Sequence, residues 1–263
     1  MTPRLQPGRC FVRRYSRQRL AEYELMELHT DQVFAPIDHD LVLERIAGGN
    51  ETEVYRTDDQ RYVVKVKSDL GGSIADALSQ AHSLRSAAEQ FAVCLGPQHS
   101  LPSYYLVARD STNRAQVVVI QPYAGPAKPL FEVDYSQLSV DERRILADQL
   151  RDVIRRSLRH YRLTGSMPDL YGRTSSSDAE RTRMKAIWML PKRVWSFLVQ
   201  RNLLRSHNLL LLRDEKGPQV VLVDYDPVRR SKLYRAVYYF TRWILLWRDH
   251  ILILLMRQGR ANP

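Results

Sequence analysis

Cysteine is nearly missing from this chain: its 263 residues include two, Cys10 and Cys94, far apart in sequence. That excludes a disulfide framework and cysteine-based zinc spacing, and it suits a reduced, cytoplasmic chain. Low-complexity tracts and internal repeats are also missing, which excludes solenoids and arrays. The opening "MTPRLQPGRCFVRRYSRQRL" is basic but lacks the apolar core of a secretory signal. Acidic residues are the minority, 29 against 40 Lys and Arg, for a formal net charge of +11 at pH 7. Such an excess draws nucleotide phosphates, nucleic acid or an acidic membrane surface, or else is spread over a solvated surface. No nucleic-acid-binding motif is present, so nucleic acid ranks last. A clean membrane span is missing too. The most apolar stretch, 236–256, holds Arg242, Arg248, Asp249 and His250. Charges at the centre of a spanning helix are costly, so this segment is expected to be a buried or surface-lying helix.

What is present divides by pattern. Residues 1–40 read as an N-terminal extension in which "SRQRLAEYELMELH" suggests an amphipathic helix. From Leu41, "LVLERIAGGNETEVYRTDDQRYVVKVKSD" reads as three strands separated by turns at Gly48-Gly49-Asn50 and Asp58-Asp59-Gln60. Ser73 is placed to cap a helix whose apolar residues run from Ala77 to Leu95, and Gly96-Pro97 stops it. Two more strands, "SYYLVAR" and "QVVVIQPY", complete a unit over 41–123. The remainder, 124–263, is mainly helical. Ser139 and Glu142 form a capping box for a helix with Ile145, Leu146, Leu150, Val153, Ile154 and Leu158 on its apolar face, and Gly165 ends it. After "MPDLYGR" comes a Ser-rich link at 174–177, then a basic helical stretch broken at Pro191. "HNLLLLRDEKGPQVVLVDYDP" reads as two strands around a Lys-Gly turn, and one or two helices close the chain. A strand that runs into Asp224-Tyr225-Asp226 puts hard oxygen ligands at its mouth, or caps the turn before Pro227.

Three strands, a helix, two strands and a helical half with a hairpin resemble the bilobal protein-kinase-like fold. The expected class is α+β, with a small antiparallel-sheet N-lobe carrying one helix and a mainly helical C-lobe. "IAGGNETEVY" resembles the glycine-rich loop, "YVVKVK" the strand with the phosphate-binding lysine, and "VVVIQPYAG" the hinge. "HNLLLL" and "VVLVDYDP" resemble the metal-binding asparagine and aspartate. The His-Arg-Asp triplet is missing, and "DYD" stands for "DFG". Both departures resemble the small-molecule branch, the aminoglycoside and choline phosphotransferases and their atypical relatives.

The resemblance implies ATP and Mg²⁺ as cofactors. It implies nucleotide contacts from Gly48, Gly49, Asn50, Lys65, Gln121 and Tyr123, with Glu89 as the partner of the lysine. Lys67 shares a strand face with Lys65, and Lys65 is favoured because it follows an apolar pair. Asn208 and Asp224 become the metal ligands. The position of the family's catalytic aspartate, about five residues before the asparagine, is Leu203 here, which can do no proton chemistry. Asp169 in "MPDLYGR" is the candidate base, and about 170–205 becomes an insertion in the catalytic loop. Cations between Arg181 and Arg205, interleaved with Trp188 and Trp195, make 179–205 either a surface for anionic membranes or an amphipathic helix pair with one wet face. The implied function is ATP- and Mg²⁺-dependent phosphoryl transfer to a hydroxyl of a small molecule or lipid-linked acceptor. The alternative is a pseudokinase or nucleotide-binding scaffold without turnover, or a basic protein of membrane surfaces or RNA. The expected location is cytoplasmic or peripheral at the inner membrane surface.

Overall fold

The computed structural model describes residues 10–15, 22–26, 42–48, 52–109, 114–125, 127–172, 189, 201–214, 217–227 and 231–260. The chain divides into two compact units, 1–86 with 102–123, and 87–101 with 124–263.

In the first unit, seven strands close into a barrel. They are β1 (Cys10–Tyr15), β2 (Glu22–Met26), β3 (Val42–Gly48), β4 (Glu53–Thr57), β5 (Tyr62–Gly72), β6 (Tyr104–Arg109) and β7 (Ala115–Pro122). The order is β1-β2-β6-β7-β5-β4-β3. Five of them, β3-β4-β5-β7-β6, form the antiparallel sheet expected for 41–123. The extension differs from expectation: Glu22–Met26, within the stretch that suggested a helix, is a strand, and Cys10–Tyr15 before it is another. A five-stranded sheet ends in two rows of unpaired N–H and C=O groups on β3 and β6. β2 pairs with β6 and β1 runs parallel to β3, so both rows are satisfied. The alternation in "EYELM" suits a strand as well as a helix, and pairing decides between them.

Leu43, Tyr55, Val64, Val66, Ala108, Val118 and Ile120 form one buried cluster in this unit. The opposite face of β5 and β7 follows from register. Lys65 lies beside Val119, Lys67 beside Val117, and Val63 beside Gln121. Helix α1 (Ile74–Leu95) starts as expected: Ser73 Oγ accepts from the Asp76 N–H at 3.1 Å.

The second unit holds the end of α1 from Ala87, helix α2 (Val140–Thr164), and a sheet of β8 (Lys128–Pro129), β9 (Leu209–Asp214) and β10 (Gly217–Leu222). One long helix, α3 (Lys232–Arg257), completes it. Ser139 and Glu142 make the expected capping box, and Gly165 ends α2 with φ of 72°. The apolar face of α2 is buried at Leu146, Leu150, Val153, Ile154 and Leu158, while Ile145 is exposed. No helix among the described residues is long and apolar enough to cross a membrane.

α2 also carries His160, half-buried, its ring edge-on to Phe91 with centroids 5.7 Å apart. Burial lowers its pKa from the ordinary 6.5. Below pH 6.5 the unfolded chain therefore takes up this proton more readily than the folded one. Stability tied to the neutral ring is complete above pH 6.5 and is lost as pH falls through the lower folded value. We expect the urea midpoint to fall from neutral to mildly acid pH, and His160→Phe to flatten that fall. An unchanged pH slope in the variant would count against this account.

Candidate functional site

The second unit joins two segments that lie far apart in sequence. Residues 169–172 run beside 206–208, and three hydrogen bonds tie them together. Asn208 Nδ2 donates to Asp169 O at 2.8 Å, Ser206 Oγ to Leu170 O at 2.6 Å, and the His207 N–H to Tyr171 O at 2.9 Å. Ser206 Oγ also accepts from the N–H groups of Asn208 and Leu209, so one buried hydroxyl orders both strands of chain. Asp169 and Asn208 are thereby neighbours. The Val223 N–H donates to Asn208 O at 3.0 Å, which brings the end of β10, and so Asp224, to the same place.

Each of the three side chains has a local reason for its position. The Asn208 amide donates to Asp169 O, which turns its carbonyl oxygen toward Gly172. Gly172 has φ of 66°, and a Cβ there would overlap that oxygen and come within 2.7 Å of Asn208 Cγ. Only glycine leaves room for the amide and adopts this conformation cheaply. Asp224 Oδ1 accepts from the Asp226 N–H at 3.2 Å, a turn that aims the carboxylate. Between the two aspartates, Tyr225 points inward. Its hydroxyl accepts from the Leu101 N–H at 2.7 Å and donates to Leu222 O at 2.9 Å, and burial pushes the phenol up to about 12. The turn after β10 thus buries the tyrosine and leaves Asp224 and Asp226 half-buried. β10 itself is held on its outer edge by Gln149 of α2, whose amide bonds Pro218 O and the Val220 N–H.

Asp169 is partly exposed, its Oδ1 accepting from the Tyr171 N–H at 3.1 Å and lying 3.8 Å from Arg242 Nη2. Arg242 is buried in α3 and stacks on the Tyr171 ring at 4.1 Å, with Tyr238 on another side at 5.1 Å. One turn-pair along α3, the buried Asp249 accepts from Tyr171 Oη at 2.7 Å, from the Leu203 N–H at 3.1 Å and from Arg248 Nε at 2.9 Å. Burial raises its pKa, and the bonds from Tyr171 and Arg248 pull it back. The α3 charges that argued against a membrane span therefore hold the 169–172 and 201–205 segments. Sequence reasoning saw these residues but gave them no part in a site. The spacing of seven between Arg242 and Asp249, two helical turns on one face, was the available signal.

The residues expected to meet a nucleotide lie in the first unit, except Glu89. Gly48 ends β3, opposite Glu53, whereas Gly49 and Asn50 fall outside the described residues. Lys65 is half-buried and Lys67 is 4% exposed, on the face that also carries Gln121. Gln121 is buried and donates from Nε2 to Ser103 Oγ at 2.8 Å. The Tyr123 N–H donates to Arg61 O, and the Arg56 guanidinium lies 5.6 Å from the Tyr123 ring centre. Glu89 is on the exposed side of α1, in the part that belongs to the second unit. Of the basic segment 179–205, only Met189 and residues 201–205 are described. Leu203 is fully buried.

Among the described residues, no group of three or more His, Cys, Asp and Glu is placed to hold a metal ion. The donor set at hand is the Asp224 carboxylate and the Asn208 carbonyl, both hard oxygens. Such a pair fits Mg²⁺, which takes one or two carboxylates and completes its shell with water and phosphate oxygens. No protein-family model matches this chain, and no curated protein matches it.

The Gly172–Asn208 contact can be measured against a reference glycine. Gly165 has φ of 72° and open space around its missing Cβ. Gly165→Ala should cost the conformational term alone, about 1–2 kcal/mol. Gly172→Ala should cost more in urea denaturation, because Asn208 must also move. Equal losses in the two variants would show that the Asn208 amide is not confined by Gly172.

Proposed function

We propose that this chain is an ATP- and Mg²⁺-dependent phosphotransferase of the protein-kinase-like, small-molecule type, acting on a hydroxyl of a small molecule or lipid-linked acceptor. The observation that supports this reading most is the meeting of Asp169, Asn208 and the Asp224 strand end. They come from three separate stretches of sequence, and the reading needs them together. From β3 onward, the element order three strands, helix, two strands, then a helical half with a hairpin also agrees with it, while β1 and β2 are additional to that order.

Each residue has a part in this reading. Asp224 and the Asn208 carbonyl would hold Mg²⁺, which would neutralise charge on the phosphates. Lys65, Gln121 and Tyr123 are the first-unit contacts to the nucleotide, and Lys65 brings positive charge to phosphate oxygens. Asp169 accepts the proton of the acceptor hydroxyl. Arg242 and the Tyr171 N–H fix the orientation of Asp169, and phosphoryl transfer depends mainly on such positioning. The rival reading, a nucleotide-binding scaffold without turnover, rests on Leu203 at the usual place of the base.

Four variants separate these readings, assayed for Mg²⁺–ATP affinity and for ATP consumption with hydroxyl acceptors. Asp224→Ala should weaken Mg²⁺–ATP binding by at least about tenfold, and Asn208→Ala by less, because a formal charge binds the ion more strongly than an amide dipole. Lys65→Ala should weaken ATP binding more than Lys67→Ala. Asp169→Asn should leave binding intact and abolish transfer. Parent-like Mg²⁺–ATP binding by Asp224→Ala would remove the kinase-like reading. Binding without turnover in the parent would leave the scaffold.

A further inference from the structure

α3 is apolar on both faces, and its charges at Arg242 and Asp249 are on the buried one. From Ala236 to Met256 every exposed residue is apolar, while the buried face includes Arg242 and Asp249. Leu233, Val237, Phe240, Ile244, Trp247 and Ile251 recur at intervals of three and four, which places them in one stripe along the helix. Leu233 is 76% exposed, and Phe240, Trp247 and Ile251 are each more than half exposed. A 26-residue helix is about 39 Å long, so the stripe is long as well as continuous. Isolated exposed apolar residues need no explanation, but a contiguous stripe of this kind marks an interaction surface.

Charge selects the partner. Between residues 228 and 260 the sequence has eight cations, Arg229, Arg230, Lys232, Arg235, Arg242, Arg248, Arg257 and Arg260, and one carboxylate, the buried Asp249. Lys232 and Arg235 are exposed at the start of the helix, and Arg260 just past its end. A second copy of the same face would bring cationic ends against cationic ends. An anionic lipid surface would take both the cations and the apolar stripe. Trp247 and Tyr234, both exposed on α3, are side chains that favour the headgroup level of a bilayer. The helix cannot leave the protein to span the bilayer, because Arg242 and Asp249 fasten it to residues 169, 171 and 203.

We propose that the outer face of α3 docks this protein flat on an anionic membrane surface. The apolar stripe enters the headgroup boundary while Arg242 and Asp249 stay within the protein. This inference stands apart from phosphoryl transfer. It also assigns membrane contact to a different segment from the basic stretch 179–205.

The test is co-sedimentation of the full chain with phosphatidylglycerol–phosphatidylcholine vesicles and with phosphatidylcholine alone, beside sedimentation equilibrium without lipid. The parent should be monomeric, should follow the anionic vesicles, and should be released by high salt. The exposed-face variant Phe240→Ser, Trp247→Ser, Ile251→Ser should partition at least about tenfold less while keeping the parent's melting temperature. If that variant fails to fold, Trp247→Phe serves in its place. Brominated anionic lipid should quench tryptophan emission in the parent, and the quenched part should shrink in Trp247→Phe. Three outcomes overturn the proposal. They are no binding by the parent, loss of binding on reversing Arg181, Arg183 and Lys185 but not on changing the α3 face, and a parent dimer that the triple variant breaks.

Discussion

A buried carboxylate is costly unless nearly every lone pair finds a donor, and Asp249 meets that demand by collecting donors from three places. The Tyr171 hydroxyl comes from the loop after α2, the Leu203 N–H from the chain before β9, and the Arg248 guanidinium from α3 itself. Asp249 adds α3 to two segments that Asn208, Ser206 and His207 already tie together. Removing one partner from a buried, hydrogen-bonded charge costs about 3–5 kcal/mol. That is a large share of the stability of an ordinary domain, about 5–15 kcal/mol. The arrangement therefore fixes where the loops go, rather than merely decorating a fold set by apolar burial.

The candidate site inherits its order from that anchor. Tyr171 is held at one end by Asp249 and on its face by Arg242, and Arg242 in turn lies against Asp169. The backbone of the same short loop then receives Asn208, Ser206 and His207. Asp224 arrives by a different route, through β10, with Gln149 on the strand's outer edge and Tyr225 below the turn. Positions in the site are thus set by groups that do no chemistry in the proposed function.

Much of this was legible because its cause is local. Ser139 and Glu142 announce a capping box within four residues, and Ser73 announces a cap. The alternation in "YVVKVK" and "QVVVIQPY" puts Val64, Val66, Val118 and Ile120 on one face without reference to anything distant. What could not be read depends on partners remote in sequence. Residues 22–26 become a strand because β6 needs a neighbour, and "EYELM" is compatible with either period. Ile145 fits the apolar stripe of α2 but sits where that stripe reaches solvent. Asp169 could be named as a candidate, but its juxtaposition with Asn208 depends on two loops whose spacing along the chain says nothing. Nothing local marks Gly172, and its role appears only when the amide it makes room for is in place.

The anchor also has an order in time. α3 follows every other described element in the sequence, so a chain emerging from the ribosome has made Asp169, Asn208 and Asp224 before Arg242 and Asp249. Domains assemble from the N-terminal side as they are synthesised. A nascent chain at that stage carries the chemistry-bearing side chains without the framework that aligns them. Completion of α3 is therefore the step at which residues 169–172 and 203 gain the partners that hold them, whatever the earlier segments have already formed.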